Sequence, residues 1–429
     1  MTEPLRVAVA GLGTVGGGVV RVLAERAREL GQRAGRPIVL SQICALDRSK
    51  KRVHAMGDLQ WVENALDLAR SDADIVVELI GGDNGIALDL IRASLNAGKH
   101  VVSANKSLLA RHGADLAERA ERRGVALKFE AAAAGGIPII KALRESLVAH
   151  GVGAVRGILN GTCNFILTQM EATGRSFHEV LTEAQRMGFA EADPTLDVGG
   201  HDTAHKLALL ASLAFGIRPS LEHMTVEGIE KVTPEDIAFA REFGYRIKLL
   251  GVARQGPDGI DQRVHPAMVK LGTPLADVEG AFNAVVADAG EAGPFFFAGR
   301  GAGQAPTASA VIADIVDIAR GDTGPAFGIP ATELETSRAA PDSARVSAFY
   351  LRFQVVDQPG VLAEVAARLA RAHVSIESMV QHGRAAGGPV AIVMITHPCA
   401  PIAVESALKD IAASDKILGA PTLIHMEPA

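Results

Sequence analysis

The chain is poor in aromatic side chains, with one tryptophan, two tyrosines and 14 phenylalanines among 429 residues. Stacking platforms for bases or sugars are therefore scarce, and 45 glycines leave the backbone to shape ligand sites. Cysteine is rarer still. Cys44, Cys163 and Cys399 lie far apart with no paired spacing, which argues against a disulfide framework or a zinc site and sets the expectation of a reducing cytoplasm. No apolar run reaches a membrane span, and the N-terminus lacks the basic, apolar, cleavage-site order of a signal peptide. Positive charge is not in excess: the formal net charge is −6, so neither nucleic acid nor membrane is an expected partner. With 48% hydrophobic residues, the length suits two or three domains with sizeable cores.

Against that background one stretch stands out, Gly188 to Lys206. Glu191, Asp193, Asp197 and Asp202 fall in it with almost no apolar side chain between them. Pro194 and the pair Gly199-Gly200 mark a loop, and an apolar helix follows through Leu207, Leu209, Leu210 and Leu213. Asp202 and Lys206, four apart, share one face of its first turn. Singly they read as a first-turn acid facing the helix dipole and a solvated lysine, and Asp193 before Pro194 as a turn residue. Together, at the head of a core helix, they suit a polar substrate that carries both charges.

Upstream, the apolar run Leu5 to Ala10 leads into Gly11-Leu12-Gly13-Thr14-Val15-Gly16 and then a helical run from Val19 to Leu23. Strand, glycine turn and helix form the dinucleotide-binding context: Gly11 for the turn, Gly13 for approach of the pyrophosphate, Gly16 for helix-on-strand packing. The next strand, Val39 to Leu46, ends at Asp47, an acid placed to bond the ribose of NAD. Arg48, Lys50, Lys51 and Arg52 follow and offer a 2′-phosphate site for NADP. The two signals conflict, so the choice between NAD and NADP stays open.

Strands over Ala73 to Ile80, His100 to Ser103 and up to Phe129-Glu130 alternate with a helix over Ile86 to Ala97, which predicts a parallel sheet with ligands at its carboxyl edge, where Lys106 lies. In Gly157 to Leu167, Asn160, Thr162 and Asn164 stand beside apolar residues, placed either to satisfy backbone groups near a ligand or to turn into a helix. Val264 to Val269 and Phe295 to Ala298 read as strands of a second sheet. The Gly299 to Thr307 stretch, leading into a helix over Ala308 to Ala319, reads as a second backbone approach to cofactor or as an interdomain return. Thr332 to Ser347, with Ser337, Pro341, Asp342 and Ser343, reads as a linker, and the order βαββαβ beyond it is a ferredoxin-like plan.

These motifs resemble homoserine dehydrogenase with a carboxyl-terminal ACT domain over nearly the whole chain: Gly11 to Gly16, Ser103 to Lys106, Glu130 to Ile139, Gly157 to Leu167, Gly188 to Lys206 and Gly301 to Ser309. The resemblance implies an α/β chain in three parts: a Rossmann-type domain over 1–138, with 304–330 returning to it; a catalytic, substrate and dimerisation domain over 139–303; and, after the linker 331–347, an ACT domain over 348–429. It implies interconversion of L-homoserine and L-aspartate 4-semialdehyde with NAD or NADP. Lys206 then handles the proton, Glu191 and Asp202 hold substrate with Asp197 beside them, and Lys106 belongs to the active site. Gly188, Gly303 and Ser103 join the glycine loop, Asp47 and Arg48 around the cofactor. Glu130 with the carbonyls of Ala133, Gly135 and Ile137 forms a sodium site. The turn Asp357 to Val361 implies regulation by an amino acid, threonine above all, in a homodimer or homotetramer, and truncation at about Ser347 is expected to leave catalysis while removing that response. Leu46 stands where many members carry an arginine for the 2′-phosphate, which puts strict NADP use in doubt. The rival readings are a different amino-acid or semialdehyde dehydrogenase on this scaffold and a catalytically silent amino-acid sensor; Glu191, Asp202 and Lys206 together argue against the sensor.

Overall fold

The computed structural model describes residues 3–48, 59–341, 345–382 and 389–427. Lys50, Lys51 and Arg52 of the basic cluster, and Asp342 and Ser343 of the linker, lie outside the described residues.

The first sheet contains β1 (Leu5–Ala10), β2 (Ile38–Cys44), β3 (Gln60–Val62), β4 (Ile75–Glu78), β5 (His100–Ser103) and β6 (Leu127–Lys128), in the order β3-β2-β1-β4-β5-β6. Every described pairing in it is parallel. Central strands of such a sheet are covered on both faces, so β1 and β4 are apolar runs rather than alternating ones. Strand order reverses between β1 and β4, and the crevice outside the carboxyl ends of that pair is where a doubly wound sheet takes its ligand.

The strands are shorter than the apolar runs suggest. β2 stops at Cys44 rather than Leu46, β4 spans Ile75–Glu78, and Glu130 begins a 3-10 turn instead of closing a strand. The extra residues turn the chain at the carboxyl edge, where the ladder ends and the functional loops begin.

The helix Gln304–Ala319 returns to this domain. Its Val311 and Ile315 share a core with Val7, Val9 and Val19. It crosses the helix Thr14–Glu25 so closely that a Cβ on Gly18 would lie 2.7 Å from the Gln304 Cγ.

The second sheet holds β7 (Ala154–Ile158), β8 (Thr225–Val226), β9 (Tyr245–Gly256), β10 (Gly259–Lys270), β11 (Phe282–Asp288) and β12 (Pro294–Arg300). The terminal unit supplies β13 (Phe349–Val356), β14 (Ile376–Gln381), β15 (Pro389–Thr396) and β16 (Thr422–Glu427). In that unit the helices Val361–Arg371 and Pro401–Ala412 separate the strands into βαββαβ, as the sequence suggests. The two sets of strands are one sheet, in the order β12-β11-β7-β9-β10-β16-β13-β15-β14, with β8 on β10. The join is parallel, Ala267 to Val269 of β10 against His425 to Glu427 of β16.

Side chains cement that join. Arg352 of β13 reaches the fully buried Asp236 through Nε at 2.6 Å and Nη2 at 3.1 Å, and the Tyr350 hydroxyl donates to the same carboxylate at 3.1 Å. Buried Glu427 pairs with Arg254. The helix His201–Phe215 lies on β9: a Cβ on Gly251 would meet the Thr203 Cγ2 at 3.1 Å and the Leu207 Cδ1 at 3.4 Å.

Candidate active site

The site forms where the carboxyl edge of the first sheet meets the start of the helix His201–Phe215. Gly200, in the left-handed region at φ 84°, swings the acidic loop into that helix. Asp202 and Lys206 then lie one turn apart and both are buried. The Lys206 Nζ donates to the Asp202 Oδ2 at 2.6 Å and to the Leu159 carbonyl at 2.7 Å. Lys106 comes from the other domain. It opens the helix Lys106–Arg123 directly after β5, and its half-exposed ammonium lies 3.1 Å from the Asp202 Oδ1. One carboxylate thus takes two lysines, one from each domain.

The electrostatics follow from this arrangement. Burial pushes the Asp202 carboxyl up, but the charges of Lys206 and Lys106 and the hydrogen bonds override it and hold the group well below the usual carboxylate range. Asp202 in turn raises Lys106, with Asp197 and Glu191 adding to the effect. Asp197 moves the other way. Burial raises it, against a hydrogen bond from Asn160 that lowers it.

Asn160 precedes the helix Gly161–Thr173 as its N-cap. Its Oδ1 accepts from the Cys163 N–H at 2.8 Å, and its Nδ2 donates to the Asp197 Oδ1 at 2.7 Å and the Asp202 Oδ2 at 2.9 Å. Glu191 is exposed on the loop, makes no side-chain hydrogen bond among the described residues, and faces the cluster only through its charge at Lys106. Asp193 is the turn residue its Pro194 neighbour suggests: its Oδ1 accepts from the Thr195 N–H and Oγ1 at 3.1 and 2.6 Å.

The glycine loop is shaped for a close ligand. Gly11 has φ 95° and a Cβ there would sit 2.3 Å from the Leu79 carbonyl oxygen; on Gly16 it would sit 1.9 Å from the Gly11 carbonyl oxygen. Gly13 has no heavy atom within 4 Å of that position, which leaves room for a phosphate above the first turn carrying Thr14 and Val15. A cavity of about 510 Å³ extends from Gly11, Leu12 and Gly13 past Leu46 and Asp47 to Asn64 and Ile86. Leu46 is fully exposed at its rim, and the Arg48 guanidinium lies over the Trp61 ring, 5.4 Å from its centroid. Gly188, at φ 77°, follows the helix Phe177–Arg186, and Gly303, at φ 109°, caps the returning helix.

Ser103 is buried, and its hydroxyl donates to the Glu78 Oε2 at 2.7 Å. Glu78, which sequence reasoning passed over, also accepts from the Ile80 and Gly81 N–H groups at 2.8 and 3.1 Å and so fixes the loop beneath the cofactor crevice. Its one signal is an acid at the end of an all-apolar run.

A third locus lies below. The buried Glu130 carboxylate accepts from the Ile140 and Lys141 N–H groups at 3.0 and 2.8 Å. Burial raises Glu130 to about 7, and burial with the nearby Glu130 charge raises Asp314 to about 7. Ala134 and Gly135 are both left-handed, at φ 54° and 57°. The carbonyls of Ala133 and Gly135, both buried residues, accept no hydrogen bond among the described residues, while that of Ile137 accepts from the Ile139 N–H at 2.8 Å. Carboxylate and carbonyl oxygens are donors of the kind a hard cation takes.

Profiles of known families match the chain in three places: homoserine dehydrogenase at residues 138–316, its NAD-binding domain at 11–130, and the ACT domain at 349–415. A homoserine dehydrogenase of Neisseria gonorrhoeae is 44% identical over 432 residues, covering 99% of both chains. The chain belongs to the homoserine dehydrogenase family. A relative from Pseudomonas aeruginosa is 42% identical over 99% of both chains. The crystal structure of a homoserine dehydrogenase from Thiobacillus denitrificans superposes with a TM-score of 0.92 at 44% identity, covering 99% of this chain and 98% of that one. A hyperthermophilic archaeal homoserine dehydrogenase solved with NADPH covers 73% of this chain and 97% of its own, at 25% identity and a TM-score of 0.63. As a homoserine dehydrogenase the chain is an oxidoreductase with a nicotinamide-cofactor domain and an ACT domain. No described helix is long and apolar enough to cross a membrane.

Proposed function

We propose that Lys206 carries the proton in the interconversion of L-homoserine and L-aspartate 4-semialdehyde, the step that feeds threonine, methionine and isoleucine synthesis. The cluster Lys106–Asp202–Lys206 at the domain junction carries this reading. Nicotinamide, when bound, supplies the two-electron acceptor or donor. A lysine ammonium has three N–H groups; two are engaged by Asp202 and Leu159, so one remains for the substrate oxygen. In oxidation Lys206 acts as the neutral amine, its two N–H groups engaged and its lone pair taking the hydroxyl proton as hydride leaves for nicotinamide; in reduction the ammonium returns that proton to the carbonyl oxygen. Asp202 orients Lys206 and, with Glu191 and Asp197, supplies negative charge for the substrate ammonium. Lys106 is the available cation for the substrate carboxylate.

Asp47 and exposed Leu46 at the cavity beside the glycine loop support acceptance of NAD as well as NADP, with Arg48, next along the chain, as the cation for a 2′-phosphate. Glu130 and the carbonyls of Ala133, Gly135 and Ile137 would hold a sodium ion that pins the left-handed turn against the returning Gly301 segment, whose carbonyl oxygen lies 2.3 Å from where a Gly135 Cβ would be. A cavity of about 850 Å³ at Asp357 to Leu362, bordered by Gln381 and Ile392, supports an amino-acid effector there, threonine in first place. Exposed Phe295 and Phe296 on the edge strand β12 support a homodimer or homotetramer, which light scattering reads directly. Three unpaired thiols agree with a cytoplasmic setting, checked by cell fractionation.

One assay tests the chemistry: homoserine-dependent reduction of NAD and of NADP, in sodium and sodium-free buffer, with and without threonine. Turnover with both cofactors, loss without sodium and inhibition by threonine are expected. No homoserine turnover with either cofactor would remove the catalytic reading. A preference for NADP above about a thousandfold, roughly 4 kcal/mol, would remove the argument from Asp47. Indifference to sodium or threonine would remove those two assignments alone.

A further inference from the structure

We propose that Asn160 is a positioning residue whose side-chain amide clamps Asp197 and Asp202 in one geometry beneath the substrate. Asn160 is buried and all its hydrogen-bonding roles in the site are assigned. The helix it caps decides which way the amide faces. The Cys163 N–H needs an acceptor at 2.8 Å, so the carbonyl oxygen faces the helix and both N–H groups face the acids. Those two donors reach the Asp197 Oδ1 at 2.7 Å and the Asp202 Oδ2 at 2.9 Å. Two carboxylates that close repel each other, and a shared neutral donor holds them together without adding a third charge.

The preceding residue completes the template. The Leu159 carbonyl accepts from the Lys206 Nζ at 2.7 Å and from the Asn283 Nδ2 at 2.9 Å. A β7-to-helix corner thereby sets the height of Lys206 through Leu159 and the spacing of both acids through Asn160. Groups facing Asp197 from the packed elements are Asp202 and Lys206 of the 201–215 helix, Lys106 of the 106–123 helix, and Asn160 and Cys163. Losing the amide removes the hydrogen bond that lowers Asp197, while burial and Asp202 continue to raise it. Asp197 would then ionise at higher pH.

The inference rests on the reading that Asp202 and Lys206 serve the reaction. Its test separates capping from clamping in the full-length enzyme at saturating cofactor. Serine caps a helix as well as asparagine does but is too short to reach both acids, so Asn160→Ser keeps the first role and drops the second. The expected result is a melting temperature near wild type, kcat/KM for homoserine lower by about 10–100-fold, on the scale of a roughly 1 Å misplacement, and an acid limb of the pH profile moved to higher pH. In the background of Asp197→Asn, the same Asn160→Ser change should cost less, because the repulsion it released is gone. Asn160→Thr, another capping residue whose short side chain cannot reach both acids and adds no charge, should also lose activity, and it stands in if the serine variant fails to fold. Wild-type kcat/KM and an unmoved acid limb in Asn160→Ser or Asn160→Thr, or costs that simply multiply in the double variant, would overturn the clamp. Full activity in Lys206→Ala would instead remove the underlying mechanism, so the two failures are distinguishable.

Discussion

At the residue scale the site is an exercise in charge compensation. Asp202 is buried, yet two lysines and an amide keep it ionised, so its contribution to stability is present above the unfolded carboxylate range and is lost as pH falls through that range toward its depressed folded value. Lys206→Ala should lower kcat by roughly 10²–10⁴-fold, the scale of a positioned acid or base, while cofactor affinity by calorimetry hardly changes. His205 is the control. It points about 100° away around the helix, so His205→Ala should retain most activity; the reverse pattern would reassign the proton carrier. The pairing of Asp202 with Lys206 was legible because four residues make one helical turn. Its other partners were not. Asn160 is 42 residues from Asp202 and Leu159 is 47 from Lys206, and a backbone carbonyl leaves no mark on a side-chain pattern.

At the element scale, strand, glycine turn and helix at the N-terminus behave as the spacing suggests, but the glycines are unequal. Gly13 faces open space at an ordinary φ of −72°. Gly13→Val should therefore leave the melting temperature close to wild type and abolish cofactor binding by calorimetry. Gly16 has no such room, and Gly16→Val should lower the melting temperature sharply or yield insoluble protein; a folded, nucleotide-binding Gly16→Val would contradict the close approach. Strand ends were less legible. The run through Leu46 continues past the last ladder bond at Cys44, because apolar character persists into the cavity rim. β9 went unread altogether. Its Ile247 to Ala253 are buried on both faces, so no alternation marks a strand, and Lys248 sits buried within it, donating to the Asn164 Oδ1 and the Val278 carbonyl.

At the scale of the whole molecule, β16 joins the terminal unit to the catalytic sheet. Truncation near Ser347 was expected to leave catalysis intact; the continuous sheet argues otherwise, since it would strip β10 of a neighbour and leave Asp236 and Arg254 without Arg352 and Glu427. Removing one partner of a buried pair costs about 3–5 kcal/mol, so Arg352→Ala should reduce stability to urea by that order; an unchanged unfolding midpoint would show the junction to be loose. Regulation is therefore better tested by substitutions at Asp357 in the full chain than by truncation. What the sequence determined alone was local: a glycine turn after an apolar strand, an acid and a lysine one helical turn apart, a βαββαβ order after the linker. Such features depend on backbone periodicity and on side chains a few residues apart. Tertiary structure alone decided that Lys106 and Lys206, from two domains, grip one carboxylate, that an asparagine cap clamps two acids, and that two apparent units share a sheet. Hydrogen bonds and ion pairs between distant segments depend on how those segments are brought together, which no spacing along the chain records.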